Sequence, residues 1–141
     1  MGYDMVEVVA KGPSFKVLVV DDSASSRAFV RFNLLARGFE VIEATNGAMA
    51  LALVEQNSAF AAVLCDLNMP VMNGLVFLER LRATPKGKSL PVFMLSIVGD
   101  AVDVEVARGF GVIGWLTKPL DPSLLINALN DLSKPGGRRG Q

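Results

Sequence analysis

Short apolar runs without polar alternation recur along this chain, and they are separated by segments whose apolar residues fall at helical spacing. An unbroken apolar run is typical of a parallel strand covered on both faces, whereas helical spacing predicts a helix with one buried face. The predicted strands are 15–20, 39–44, 61–65, 91–95 and 114–116. Because a predicted helix follows each strand, the pattern indicates an α/β fold with a parallel sheet and helices on both faces.

The first predicted helix shows how the elements are bounded and which residues they are expected to bury. Ser23 or Ser25 precedes this helix as an N-cap, and Gly38 follows it as a C-terminal breaker. Phe29 and Phe32 fall at helical spacing within it, so they are predicted to pack in the core.

Composition limits the functions that such a fold can serve. The chain has 141 residues, a size typical of one domain, and its 51% hydrophobic content and mean hydropathy of +0.41 argue against disorder. Its 14 basic residues balance its 14 acidic ones, which gives no general attraction to nucleic acid or anionic lipid. Cys65 is the only cysteine and there is no histidine, so the sequence excludes an intrachain disulfide and a metal site built from these residues.

The two ends of the chain differ from its middle. Residues 1–14 are mixed in character and close with Gly12-Pro13, so they are expected to form a leader, and 134–141 are expected to form a flexible basic tail. One folded domain is predicted over 15–133. The N-terminus lacks a basic start with a long apolar core, and no apolar run reaches the roughly 18 residues of a membrane helix, which favours a cytoplasmic protein.

Polar side chains stand at the ends of four predicted strands. Asp21 and Asp22 follow the first strand, Asp66 the third, Ser96 the fourth and Lys118 the fifth. The carboxyl ends of parallel strands lie at one edge of the sheet, where ligands of open α/β sheets bind. We therefore expect these side chains to converge there.

The residue types in this cluster favour phosphoryl transfer. Three neighbouring carboxylates repel one another unless a cation intervenes, and oxygen ligands without histidine or cysteine favour a hard ion such as Mg²⁺. The Lys118 ammonium and the Ser96 hydroxyl suit phosphoryl oxygens. Because a carboxylate can itself be the nucleophile, the predicted reaction is phosphoryl transfer to Asp66.

Together these residues resemble the receiver domain of two-component response regulators, specifically the stand-alone chemotaxis type. The resemblance covers residues 15–132. Its motifs are Asp21-Asp22, Asp66-x-Asn68-Met69-Pro70-x-Met72-Asn73-Gly74, Ser96 and Lys118-Pro119. It implies a flavodoxin-like, doubly wound fold with five helices and five parallel strands in the order 2-1-3-4-5, and a cis peptide bond before Pro119.

The resemblance also implies how the acidic residues act. Asp66 would accept a phosphoryl group from the phosphohistidine of a partner histidine kinase or phosphotransfer protein. Asp22, Asp66 and the backbone carbonyl of Asn68 would hold Mg²⁺, with Asp21 assisting through water.

Three more positions and an output follow from the resemblance. Ser96 and Lys118 would contact the phosphate, and Trp115 occupies the switch position, where Tyr or Phe is common in the family. Phosphorylation would change a surface near the fourth helix and fifth strand that binds a downstream protein, without direct contact to nucleic acid or membrane. The domain would not be an enzyme, although it would catalyse its own phosphotransfer and dephosphorylation.

Other functions fit parts of the pattern. The chain could be a receiver domain of a longer regulator or hybrid kinase, or an interaction module that needs no phosphorylation if Trp115 and Ile97 block the site. A phosphatase is disfavoured because Asn68 stands where such enzymes often carry a second aspartate. The GxGxxG match at 109–114 follows a helix and precedes a strand, the reverse of a dinucleotide fingerprint, so NAD binding is rejected.

Ile97 follows Ser96 at a position where the family usually has a small residue. We predict that its branched side chain narrows access to Asp66, so that Ile97→Ala speeds both phosphorylation and hydrolysis of the phosphate. Rates of phosphorylation by acetyl phosphate and of phosphate loss measure this effect. Unchanged rates in the variant would contradict it.

Overall fold

A five-stranded parallel sheet lies at the centre of the computed structural model, which describes residues 15–56, 59–97 and 101–133. The strands are β1 Lys16–Val20, β2 Glu40–Ala44, β3 Phe60–Asp66, β4 Val92–Ser96 and β5 Gly114–Thr117. The helices are α1 Ala24–Leu35, α2 Gly47–Gln56, α3 Gly74–Arg82, α4 Ala101–Gly109 and α5 Pro122–Ser133. The strand order β2-β1-β3-β4-β5 confirms the predicted flavodoxin-like fold.

The predicted leader and tail lie outside the described residues, so the limits of the domain stay a prediction. Among the helices of the part of the chain that the structure describes, none combines the length and the apolar composition that a bilayer-spanning segment requires.

Two apolar layers enclose the sheet because successive side chains of a strand point to opposite faces. In β1, Leu18 and Val20 face a layer formed with α2, α3 and α4, whereas Val17 and Val19 face a layer formed with α1 and α5. All four side chains are fully buried, and Cys65 in β3 is likewise buried with a free thiol. Burial on both faces explains why these strands show no polar alternation in the sequence.

The orientation of α1 corrects one prediction. Ser23 caps the helix, as expected, by accepting a hydrogen bond from a backbone N–H of the first turn. The prediction that Phe29 and Phe32 lie in the core is wrong, since their side chains are 42% and 72% exposed. Val30 and Leu34 are the buried residues of this helix. The α1 sequence therefore carries two apolar stripes, and only the inner one packs against the sheet.

The loop between β3 and α3 is held close to the end of the strand. A β-carbon at position 74 would lie 2.6 Å from the carbonyl oxygen of Asp66, so Gly74 allows α3 to begin this near to β3. Within the loop, the Met72 N–H donates to the Pro70 carbonyl across 2.6 Å, and Val71 between them has a φ of 68°. This γ-turn places a β-branched residue in a conformation that such residues rarely adopt.

We predict that Val71→Asn raises the free energy of unfolding by about 1 kcal/mol, because asparagine is enriched among residues with a positive φ, whereas a β-branched residue with a positive φ is an outlier. Val71 is 82% exposed, so the substitution removes little packing. Urea denaturation measures the change. Val106→Asn is the matched control, since Val106 is also exposed but lies within α4 and relieves no strain there. A Val71→Asn variant no more stable than the wild type would contradict the prediction.

Candidate functional site

Polar residues meet at the carboxyl edge of the sheet, as the sequence predicts. Asp66 is the last residue of the central strand β3, and Ser96 is the last residue of β4. Asp21 directly follows β1, and Lys118 directly follows β5. Asp21, Asp66 and Ser96 are the buried polar residues of the described ranges, with exposed fractions of 1%, 6% and 1%. The burial of polar groups is thus concentrated at this edge.

Three carboxylates lie close together here. Oxygen atoms of Asp21, Asp22 and Asp66 all lie within 4.8 Å of one another. Asp22 is exposed, whereas the other two residues are buried. Carboxylates this close favour a cation between them, and a donor set made only of oxygen suits Mg²⁺.

Lys118 bridges the two buried carboxylates. Its Nζ lies 3.0 Å from Asp66 Oδ1 and 3.2 Å from Asp21 Oδ2. Its backbone N–H donates to the Ser96 carbonyl at 2.7 Å, which fixes the backbone from which the side chain reaches the carboxylates. The Lys118–Pro119 peptide bond is cis, as the resemblance implies. One ammonium among three carboxylates leaves this edge negatively charged.

The burial and the charges of the site shift two pKa values. Burial raises the pKa of Asp66 above its usual value and the charges of Asp21 and Asp22 add to this, while the hydrogen bond and charge of Lys118 oppose it. Burial lowers the pKa of Lys118, but the hydrogen bond to Asp66 and the charges of the two buried carboxylates outweigh it, so the lysine pKa is raised. Lys118 therefore stays charged, whereas ionised Asp66 costs folding free energy.

Hydrogen bonds fix the orientation of Asp21, and they involve Ser26 and Arg27, which the sequence did not single out. Oδ1 accepts from the Ser23 backbone N–H at 2.9 Å, and Oδ2 accepts from the Ser26 hydroxyl at 2.7 Å. Arg27 donates to the Asp21 backbone oxygen at 2.8 Å and pairs with Glu43 at 3.0 Å. The one sequence signal for Ser26 and Arg27 is their place in the first turn of the helix that follows the acidic pair.

Ser96 is bonded to the predicted switch residue. The indole N–H of Trp115 donates to the Ser96 hydroxyl oxygen at 2.6 Å. A half-buried indole N–H needs a partner, and here that partner belongs to the site itself. Ile97 is 58% exposed, and Asn68 is exposed beyond the end of β3. The predicted effect of Ile97 on access and the predicted metal contact of Asn68 stay predictions.

The fold and the site together define a flavodoxin-like α/β domain whose central strand ends on a buried aspartate paired with lysine. The family model of the response regulator receiver domain matches residues 17–130. The chain belongs to this family. It is a receiver domain homologous to CheY, a phosphoacceptor response regulator of two-component signal transduction, and therefore a signalling domain and not a classical enzyme.

Individual relatives agree with this assignment. The chemotaxis protein CheY homolog of Campylobacter jejuni is 34% identical over 126 residues, which cover 89% of this chain and 97% of the relative. The structure of chemotaxis response regulator CheY4 of Vibrio cholerae is 35% identical, with a TM-score of 0.79 over 85% of this chain and 99% of that chain.

A more distant neighbour shares the fold. The receiver domain of sensor histidine kinase PA1611 from Pseudomonas aeruginosa is 23% identical, with a TM-score of 0.79 over 86% of this chain and 100% of that chain. That structure has a magnesium ion coordinated in its active-site cleft.

We predict that Asp66→Asn makes the metal-free protein more resistant to urea at pH 7. The raised pKa of Asp66 means that the ionised carboxylate costs folding free energy, which a neutral amide avoids. Because the folded-state pKa lies above the unfolded-state pKa, the cost is full above the folded-state value, shrinks as the pH falls through it and is absent below the unfolded-state value. The advantage of the variant should therefore shrink toward low pH, as measured by urea denaturation with a chelator present.

Asp22→Asn is the matched control for this measurement, because Asp22 is exposed and its charge is screened by solvent. We expect it to change the free energy of unfolding less than Asp66→Asn does. If Asp66→Asn were less stable than the wild type at pH 7, the pairing with Lys118 would outweigh burial and repulsion, contrary to the prediction.

Proposed function

We propose that Asp66 is the phosphoacceptor of this response regulator. The observation that carries the proposal is the 3.0 Å salt bridge between Lys118 Nζ and Asp66 Oδ1 at the end of the central strand. It puts a positive charge beside the carboxylate that would attack phosphorus. Asp66 is only 6% exposed, so water screens this charge little. Asp21 is less suited to this role, because both of its carboxylate oxygens accept hydrogen bonds from the start of α1.

Lys118 and Ser96 are proposed to contact the transferred phosphoryl group. The Lys118 ammonium now pairs with the carboxylates of Asp21 and Asp66. After phosphorylation it would pair with the negatively charged phosphoryl oxygens instead. The Ser96 hydroxyl donates to the Ile97 carbonyl over 3.2 Å, which is long for a hydrogen bond. Rotation of the hydroxyl would replace this bond with one to a phosphoryl oxygen. Through these contacts the domain would promote its own phosphotransfer and dephosphorylation.

Receiver domains bind Mg²⁺ at an acidic pocket, and the residues of this chain fit such an ion. The cluster has three carboxylates, and Lys118 pairs with only two of them, Asp21 and Asp66, so a divalent cation would neutralise the charge that remains. We propose that Asp22, Asp66 and the backbone carbonyl of Asn68 hold it, with Asp21 assisting through water. When bound, Mg²⁺ would supply positive charge to the phosphoryl oxygens.

CheY-like receiver domains are phosphorylated by histidine kinases and act on downstream targets. We propose that the donor here is a phosphohistidine of a kinase or phosphotransfer protein, and that the output is a protein-binding surface near α4 and β5. The Trp115–Ser96 hydrogen bond supports this output, because it links the site to β5 through one 2.6 Å contact. A cytoplasmic location and the lack of direct contact to nucleic acid or membrane stay predictions.

Acetyl phosphate with Mg²⁺ is predicted to add one phosphoryl group to the wild-type chain and none to Asp66→Asn, as measured by intact mass. Fluorescence gives a second measurement, because Trp115 is the only tryptophan and is bonded to Ser96. Its emission should change saturably with Mg²⁺ and then with beryllofluoride, a stable mimic of the phosphoryl group. The response to beryllofluoride should be lost in Asp66→Asn.

Asp121→Asn is the control, since Asp121 is an exposed acid that precedes α5. This variant should gain the same mass as the wild type. A wild-type chain that gains no mass and shows no fluorescence change would contradict the proposed function and favour the interaction module that needs no phosphorylation.

A further inference from the structure

The first turn of α1 carries a hydroxyl group that contacts the acidic cluster. The Ser26 hydroxyl donates to Asp21 Oδ2 across 2.7 Å. Asp21 is 1% exposed, so bulk water contributes little to its oxygens and each protein donor matters. The helix does not need this hydroxyl as a cap, because the Ser23 hydroxyl already accepts from the Ser26 backbone N–H at 3.2 Å.

The hydrogen-bond donors around Asp21 differ in whether they bond Asp21 alone or are shared with another acceptor. An ionised carboxylate has about four acceptor positions. Oδ1 of Asp21 accepts from the Ser23 backbone N–H, and Oδ2 accepts from Ser26 and from Lys118. Lys118 is shared, since it also pairs with Asp66. If Lys118 turns toward a phosphoryl group, Ser26 is the donor that keeps Oδ2 of this buried carboxylate satisfied.

We infer that Ser26 is a positioning residue for the cation site: its hydroxyl holds Asp21 in the orientation that assists Mg²⁺ binding and leaves Lys118 available to the phosphoryl group. The inference rests on the proposed function. Removing a hydrogen-bonded group that orients a metal ligand typically weakens metal binding by about 10- to 100-fold, and the lower end applies here because Asp21 acts on the cation through water. A serine that merely stabilised α1 would change the free energy of unfolding and leave the affinity for Mg²⁺ unchanged.

The test is a Mg²⁺ titration of the metal-free 141-residue chain. Binding is measured by Trp115 fluorescence and, independently, by calorimetry. Ser26→Ala should raise the Kd for Mg²⁺ by about 10-fold, and Ser26→Thr, which keeps the hydroxyl, should restore binding to within about two-fold of the wild type. Ser25→Ala is the matched control. Ser25 is exposed on the same turn and its hydroxyl lies 3.3 Å from that of Ser23, so its loss should leave the Kd unchanged.

A double-mutant cycle separates positioning from a purely structural effect. If Ser26 acts through Asp21, then Ser26→Ala should have no further effect on the Kd in an Asp21→Asn background. Equal losses in both backgrounds, or a wild-type Kd for Ser26→Ala alone, would overturn the inference. Should Ser26→Ala not fold, Ser26→Cys serves instead, because a thiol has a similar shape and is a weaker donor, so its Kd should also rise.

The outcomes for Ser26 and for the proposed function are distinguishable. A wild-type chain that binds no Mg²⁺ would contradict both the proposed metal site and the role of Ser26. A wild-type chain that binds Mg²⁺ and is phosphorylated, alongside a Ser26→Ala variant with an unchanged Kd, would overturn the role of Ser26 alone.

Discussion

The ammonium group of Lys118 lies within 3.2 Å of two carboxylates, those of Asp21 and Asp66, whose side chains are 1% and 8% exposed. Without this cation the two residues would face each other as unpaired buried charges, a situation that typically costs about 3–5 kcal/mol. Asp21 follows β1 and Lys118 follows β5, two strands that β3 and β4 separate, and the parallel arrangement brings both residues to the same edge of the sheet. The charge balance of the site is therefore a consequence of the sheet topology.

The strand ends are the part of the molecule that the sequence predicts best. Apolar runs that stop on Asp66 or Ser96 locate both the strand and its last residue, and a parallel sheet brings such ends to one edge. This step needs no knowledge of side-chain conformation, because a residue at the carboxyl end of a strand reaches the edge in any rotamer. The resemblance to a family then adds a role to each position that the pattern has already located.

Features that depend on side-chain direction were not accessible in the same way. Helical spacing is the same on both apolar stripes of α1, and only packing shows that Val30 and Leu34 face inward while Phe29 and Phe32 face outward. Ser26 was overlooked for a related reason. Serine is common in the first turn of a helix, and only the direction of its hydroxyl, which its rotamer sets, shows that it bonds Asp21.

The hydrogen bond between Ser96 and Trp115 connects the charged site to β5. A serine hydroxyl has one proton to donate and two lone pairs that accept. The indole N–H donates to one lone pair at 2.6 Å. In the proposed function, Ser96 would turn its proton toward a phosphoryl oxygen. Trp115 would remain its donor if the indole moves together with the Ser96 hydroxyl oxygen. Phenylalanine at position 115 would be smaller and would lack this bond. The contact between the site and β5 in this chain therefore includes a hydrogen bond in addition to packing.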